Sequence, residues 1–134
     1  MSCLQKLEIM DTKNGVVETH YGNGQLRTRE NYKGGELEGL FEAWHDNGKL
    51  KLRATYKDGK LNGLREVWYA NGQQLLRANY KDDKLNGLRE EWHGNGQLQS
   101  RANYKDGKRD GLCETWHSDG KHIGRVTYKD GVVE

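Results

Sequence analysis

Proline is absent from the 134 residues, so every backbone N–H stays available for a hydrogen-bonded ladder. Cysteine is almost as scarce: Cys3 and Cys113 lie far apart, with no C-x-x-C spacing. That excludes a disulfide framework or a thiolate metal site, and fits free thiols in a reduced, cytoplasmic setting. Phenylalanine occurs once, apolar residues make up 33% of the chain, and the mean hydropathy is −1.10. No apolar run approaches the ~18 residues of a membrane-spanning helix. The first residues, MSCLQKLEIMDTKNG, lack a long apolar core and a small-residue cleavage site, so no signal peptide is expected. Net charge is also small, +2 from 22 basic and 20 acidic residues, which gives no reason to expect a nucleic-acid partner.

What the chain does have is repetition. The stretch YKDGKLNGLREVWYANGQQLLRAN from Tyr56 returns as variants from Tyr32, Tyr80 and Tyr104, at a period of 24 residues. A partial copy precedes these, and the fragment YKDGVVE ends the chain. Trp44, Trp68, Trp92 and Trp116 recur at one position, with His20 at the equivalent place in the first copy. A glutamate ladder (Glu18, Glu42, Glu66, Glu90, Glu114) and an arginine ladder (Arg29, Arg53, Arg77, Arg101, Arg125) keep the same period. Disordered chains are polar too, but they are poor in aromatics and show no such order. Residues 1–11 fit the template poorly and read as an N-terminal cap on an array spanning 12–134.

Two turn signals stand about twelve residues apart in each unit. One is Asn71-Gly72 and its equivalents; the other is Asp58-Gly59, which becomes Gly34-Gly35 and Asp82-Asp83 in two copies. Asn-Gly and Asp-Gly between extended segments are strong hairpin signals. Glycine falls too often for any uninterrupted helix. The expected fold is therefore all-β, with tandem 24-residue β-hairpins forming an elongated, twisted antiparallel meander. About ten strands at ~4.8 Å spacing would make a ribbon of about 45–50 Å.

Register decides the faces. A two-residue turn at Asn71-Gly72 sets Glu66 opposite Arg77 but leaves neither face clearly apolar. A three-residue loop closing in a left-handed glycine shifts pairing by one residue. It gathers Leu64, Trp68, Leu76, Ala78 and Tyr80 on one face, and this register is preferred. Its cost is Glu66 on that face without an evident partner. Trp68 and Tyr80 are then expected to carry most of the burial.

The unit Y-K-D-G-K-L-N-G-x-x-E-x-W-x-x-N-G-Q-L resembles the MORN-repeat variant of bacterial YwqK-like antitoxins, over roughly residues 12–134. That resemblance implies tandem β-hairpins and a recognition scaffold whose protein partner, in some relatives, is a toxin. Eukaryotic MORN proteins, built on a shorter unit, extend the implication to membrane phospholipid.

The residues themselves argue against catalysis. Carboxylates that recur in every copy do not mark one special place, and Cys113 merely stands where Arg65 and Arg89 stand elsewhere. No P-loop or G-x-G-x-x-G occurs, and the glycines are spaced for turns. Stacked histidines from adjacent units would lie about 9–10 Å apart, too far to share a zinc ion that needs ligands at ~2 Å. No cofactor, metal or catalytic residue is expected. Binding residues are sought where the copies vary. These are Phe41, Arg65, Arg89 and Cys113, then His45, Tyr69, His93 and His117, then Lys51, Leu75, Gln99 and Ile123. The expected function is a non-enzymatic scaffold for a protein partner, an antitoxin or immunity protein being one form. The alternative is a peripheral membrane scaffold, in which Lys33, Lys57, Lys81, Lys105 and Lys129 meet anionic lipid and Asp58, Asp82, Asp106 and Asp130 blunt that charge.

Overall fold

The computed structural model describes residues 13–134. The cap assigned to residues 1–11 lies outside the described residues. Twelve strands make one open antiparallel sheet: β1 (Gly15–His20), β2 (Leu26–Lys33), β3 (Glu36–Leu37), β4 (Gly39–Trp44), β5 (Leu50–Lys57), β6 (Lys60–Trp68), β7 (Gln74–Lys81), β8 (Lys84–Trp92), β9 (Leu98–Lys105), β10 (Lys108–Trp116), β11 (His122–Lys129) and β12 (Val132–Val133). The strands pair in chain order except at β2, which pairs with both the short β3 and β4. Among the described residues none is helical. The all-β hairpin meander expected from the turn signals is what forms.

The two turns differ in kind. At Asp58-Gly59 both central residues have positive φ, 52° and 80°, with Lys57 opposite Lys60. This is a two-residue type I′ turn, whose twist suits the flanking strands. Asp83 stands where the other copies have glycine, at φ 69°. A left-handed non-glycine residue costs about 1 kcal/mol. Here the carboxylate returns something, because Asp83 Oδ1 accepts the Leu61 N–H at 2.8 Å. The strain and the bond are of similar size, about 1 kcal/mol each. Asp83→Gly is therefore expected to leave the thermal midpoint nearly unchanged. Asp83→Ala keeps the strain and loses the bond, so a denaturant titration should show it less stable by about 1–2 kcal/mol.

The Asn-Gly turn is a three-residue loop. Tyr69 N–H donates to Gln73 O at 2.8 Å, Gly72 N–H donates to Tyr69 O at 3.0 Å, and Gly72 sits at φ 91°. Asn71 Oδ1 accepts the Gln73 N–H at 2.9 Å and fixes the bend. Trp68 accordingly faces Gln74. The next pairs, however, are Val67 with Leu76 and Glu66 with Arg77, so one residue, Leu75, is extra on β7. This bulge cancels the one-residue offset of the loop. The preferred register thus holds at the turn and fails along the strands, where Glu66 lies directly opposite Arg77.

The faces change with it. Leu76, Ala78 and Tyr80 share a face with Val67 and Arg65, while Glu66, Arg77 and Trp68 share the other. Trp68 is therefore not beside Tyr80, as the preferred register had it. Glu66 is no longer an orphan on an apolar surface, because it lies among cations and near Gln74, whose amide donates to Glu66 Oε2 at 3.1 Å. The same arrangement recurs along the sheet. Arg29 and Arg53 reach Glu42 at 3.6 and 3.7 Å, and Arg101 reaches Glu114 at 3.4 Å. Arg29, Arg53 and Arg101 also lie over the rings of Trp44, Trp68 and Trp116 at 5.4, 5.9 and 5.7 Å. The tryptophans work as half-buried covers for an ion-pair ladder, on the side opposite the tyrosines.

Burial is thin. Among the described residues the buried apolar side chains are Ala54 at 1%, Leu76 at 7% and Ala78 at 0% exposure, all in the central units. Tyr80 and Trp68 are both half-buried.

Candidate functional site

On the tyrosine face, one variable residue from each down-strand lies in a row across the sheet: Phe41 on β4, Arg65 on β6, Arg89 on β8 and Cys113 on β10. Their cross-strand partners are small: Ala54 faces Phe41 and Arg65, Ala78 faces Arg65 and Arg89, and Ala102 faces Arg89 and Cys113. Alanine alternating with a large residue leaves room for the large side chain to lie over it, which is why Ala54 and Ala78 are almost fully covered. The tyrosines border the row on one side; Phe41 meets Tyr56 edge-on at 6.1 Å between ring centroids. Arg89 pairs with Glu91 on the same strand at 3.1 Å. The row passes from apolar at Phe41, through basic at Arg65 and Arg89, to a short thiol at Cys113.

Past Cys113 the surface opens. Ser100 and Gly124 stand where Leu52 and Leu76 stand in the central units, and Thr115 replaces Val67 or Glu91. Losing those side chains leaves a cavity of about 410 Å³ over β9, β10 and β11. Its tyrosine-side wall holds Arg109, in the place of Leu37, Leu61 and Leu85. The guanidinium donates to the hydroxyls of Tyr104 and Tyr128, at 3.4 and 3.2 Å, and lies over the Tyr128 ring at 5.3 Å. The Tyr104 hydroxyl first, then Tyr128, hold the Arg109 pKa above the ordinary arginine value. Arg109 is not among the residues expected from the sequence; the signal that marks it is its departure from leucine at 37, 61 and 85.

The second set of variable positions sits at the loops. His45 and His93 place Nε2 at 3.0 Å from the carbonyls of Trp68 and Trp116, and the Tyr69 hydroxyl donates to the Trp92 carbonyl at 2.7 Å. Tyr21 does the same toward Trp44. Each bond joins one unit to the next, so imidazole and phenol perform one task at the same position. Asn47, Asn71 and Asn95 add a parallel link, their amides donating to the carbonyls of Ala70, Gly94 and Ser118. His117, at the last loop, is exposed and borders a shallow cavity with His93 and Trp116. The third set, Lys51, Leu75, Gln99 and Ile123, occupies the bulge; Ile123 is 56% exposed beside the open cavity.

The opposite edge carries the type I′ turns. Lys57 faces Lys60, Lys81 faces Lys84 and Lys105 faces Lys108. Asp58 and Asp82 lie among them, around a shallow cleft that Lys57, Lys60 and Lys81 also line. Among the described residues no group of three or more His, Cys, Asp or Glu is placed to hold a metal ion.

The MORN repeat variant matches the chain five times, at residues 13–33, 37–58, 61–82, 85–106 and 109–130. No curated protein matches it in sequence. Among solved structures, a point mutant of S. aureus TarM in complex with fondaparinux, alpha-GlcNAc-glycerol and UDP is similar over 96% of this chain. The identity is 10% and the TM-score 0.42, and the chain spans 24% of that protein's length. At that score the likeness carries no argument about function.

Proposed function

The chain belongs to the MORN repeat variant family, a family of repeat scaffolds, and from that premise we propose that it binds a protein partner on the tyrosine face. The observation that carries the reading is the row itself. Phe41, Arg65, Arg89 and Cys113 change from aromatic to basic to thiol between copies, and they lie side by side over Ala54, Ala78 and Ala102. A repeat scaffold of this kind holds the fixed residues for architecture and offers the variable ones for recognition. The mixture of an aromatic anchor and arginines suits a protein surface, since both residue types are enriched where partners dock. An antitoxin or immunity role is the form of this function in which the partner is a toxin, met in the cytoplasm. His45, Tyr69 and His93 contribute indirectly, by fixing the spacing between units.

The lysine edge supports the rival reading, an anionic lipid surface. Its acids reduce the net charge of that edge, and the row on the face has no role in it.

One experiment separates the two. A photo-crosslinking phenylalanine analogue is placed at Phe41 and, as control, at Trp44 on the opposite face, in the source cells. A single protein captured from position 41 and absent from position 44 is the expected result. Equal capture from both positions, or no protein capture together with pelleting on phosphatidylserine vesicles, would overturn the proposal.

A further inference from the structure

We propose that the cavity over β9, β10 and β11 is a binding site for a small ligand with an oxyanion head, carboxylate or phosphate, on a compact apolar body. This goes beyond the partner-binding reading and does not depend on it.

The argument begins with hydrogens. Arginine has no acceptor, so both contacts of Arg109 run from its N–H groups to the phenol oxygens of Tyr104 and Tyr128. Each phenol oxygen is thereby occupied as an acceptor, and its own proton must be donated elsewhere. The remaining guanidinium N–H groups and the two phenol O–H groups form a set of donors. A ligand that only accepts is the chemical complement of such a set, and an oxyanion is the strongest of these.

Charge agrees. Arg29, Arg53, Arg89 and Arg101 each have a carboxylate within 4.0 Å. Arg109, like Arg27, Arg65, Arg77 and Arg125, has none among the described residues; its contacts are phenols. In the equivalent position the three central units carry leucine and the first carries Lys13, which lies over the Tyr32 ring at 4.9 Å, so a cation stands here in the outer units and not in the central ones.

Shape supplies the rest. At about 410 Å³ the cavity falls in the range of small-molecule sites and exceeds what a bare anion fills. Its lining includes the apolar side chains of Ala102, Val126 at 42% exposure and Ile123 at 56%, as well as polar Ser100, Thr115 and Glu114. Val126 stands where β5, β7 and β9 have alanine, and Cys113 where β4, β6 and β8 have phenylalanine or arginine. The cavity therefore offers hydrogen-bond donors at Arg109 and the phenols, and hydrocarbon at Ala102, Ile123 and Val126.

Phenyl phosphate, benzoate and benzyl alcohol test this, each titrated into the full chain at fixed ionic strength while ¹H–¹⁵N spectra follow Arg109 Nε–H and the Cys113 and Gly124 amides. Either anion should shift these signals saturably, and the two arms tell a phosphate head from a carboxylate. Arg109→Leu installs the residue the three central units carry at this position, so it should fold normally. It should weaken anion binding roughly 10- to 100-fold, the range of a charge-assisted contact. Tyr128→Phe should weaken it less. Benzyl alcohol binding as well as the anions, anion binding unchanged in Arg109→Leu, or no saturable shift in the parent chain would each overturn the proposal.

Discussion

Replacing Leu76 with alanine is expected to destabilise the protein by about 2–3 kcal/mol, near the lower end for a buried leucine. Leu76 is the largest of the three buried apolar residues among those described, and it lies between Val67 and Glu91 at the centre of the sheet. A domain with a thick core redistributes such a loss among many neighbours. This sheet has one layer, and the alanines beside Leu76 cannot move to fill the gap. The cost stays below that of a deep core because water can enter at the open face. In urea titration the midpoint should fall with an unchanged slope, and the thermal midpoint should drop on the order of 8–12 °C. A loss below about 1 kcal/mol would show that Leu76 is not packed as described.

Gly87→Val is the second large effect, for a different reason. Gly87 sits at φ 112°, and a Cβ added there would meet Asn79 Cβ at 3.4 Å. Gly63 and Gly111 repeat the arrangement at φ 117° and 112°, against Thr55 and Asn103. The register explains the conformation. Tyr80 pairs with Leu85 and Ala78 with Arg89, so Asn79 faces three residues, Asn86, Gly87 and Leu88. The strand must widen at Gly87 to absorb the excess. A β-branched side chain is disfavoured at such φ by about 1–3 kcal/mol before any contact is counted, and the Asn79 approach adds to it. The expected loss is about 3 kcal/mol. Gly124→Ala is the control: φ there lies outside the positive region and nothing lies within 4 Å of an added Cβ. Its midpoint should match the parent or rise slightly, since alanine suits a strand interior better than glycine. Equal effects at both sites would mean that the widened strand is not what demands glycine.

Much of the fold was legible in the sequence because the turns carry local chemistry. Asn71-Gly72 and Asp58-Gly59 state where the chain reverses, and their spacing states how long the strands are. The faces were not legible, because they depend on a bulge at Leu75 that no residue type announces. A one-residue loop offset and a one-residue bulge cancel. The simple two-residue register therefore gives the right Glu66–Arg77 pair for a turn that is not a two-residue turn. The row at Phe41, Arg65 and Arg89 could be found from variation between copies. At His45, Tyr69 and His93 the residue changes between copies while one bond is kept, since phenol and imidazole both reach the next tryptophan's carbonyl. Arg109 illustrates the converse: where the central units keep leucine, one cation changes the character of a whole wall.

The meander order has a kinetic consequence. Because sheet order follows chain order, each new strand finds its partner in the segment just before it. No strand waits for a distant one, so little loop entropy is lost before contacts reward it. Folding can start at any hairpin and spread in either direction. During synthesis, each freshly completed hairpin would meet an edge already formed, with the Asn and His or Tyr links to the preceding unit closing behind it. The same regularity that makes the array easy to read also gives it a route to assemble itself piece by piece.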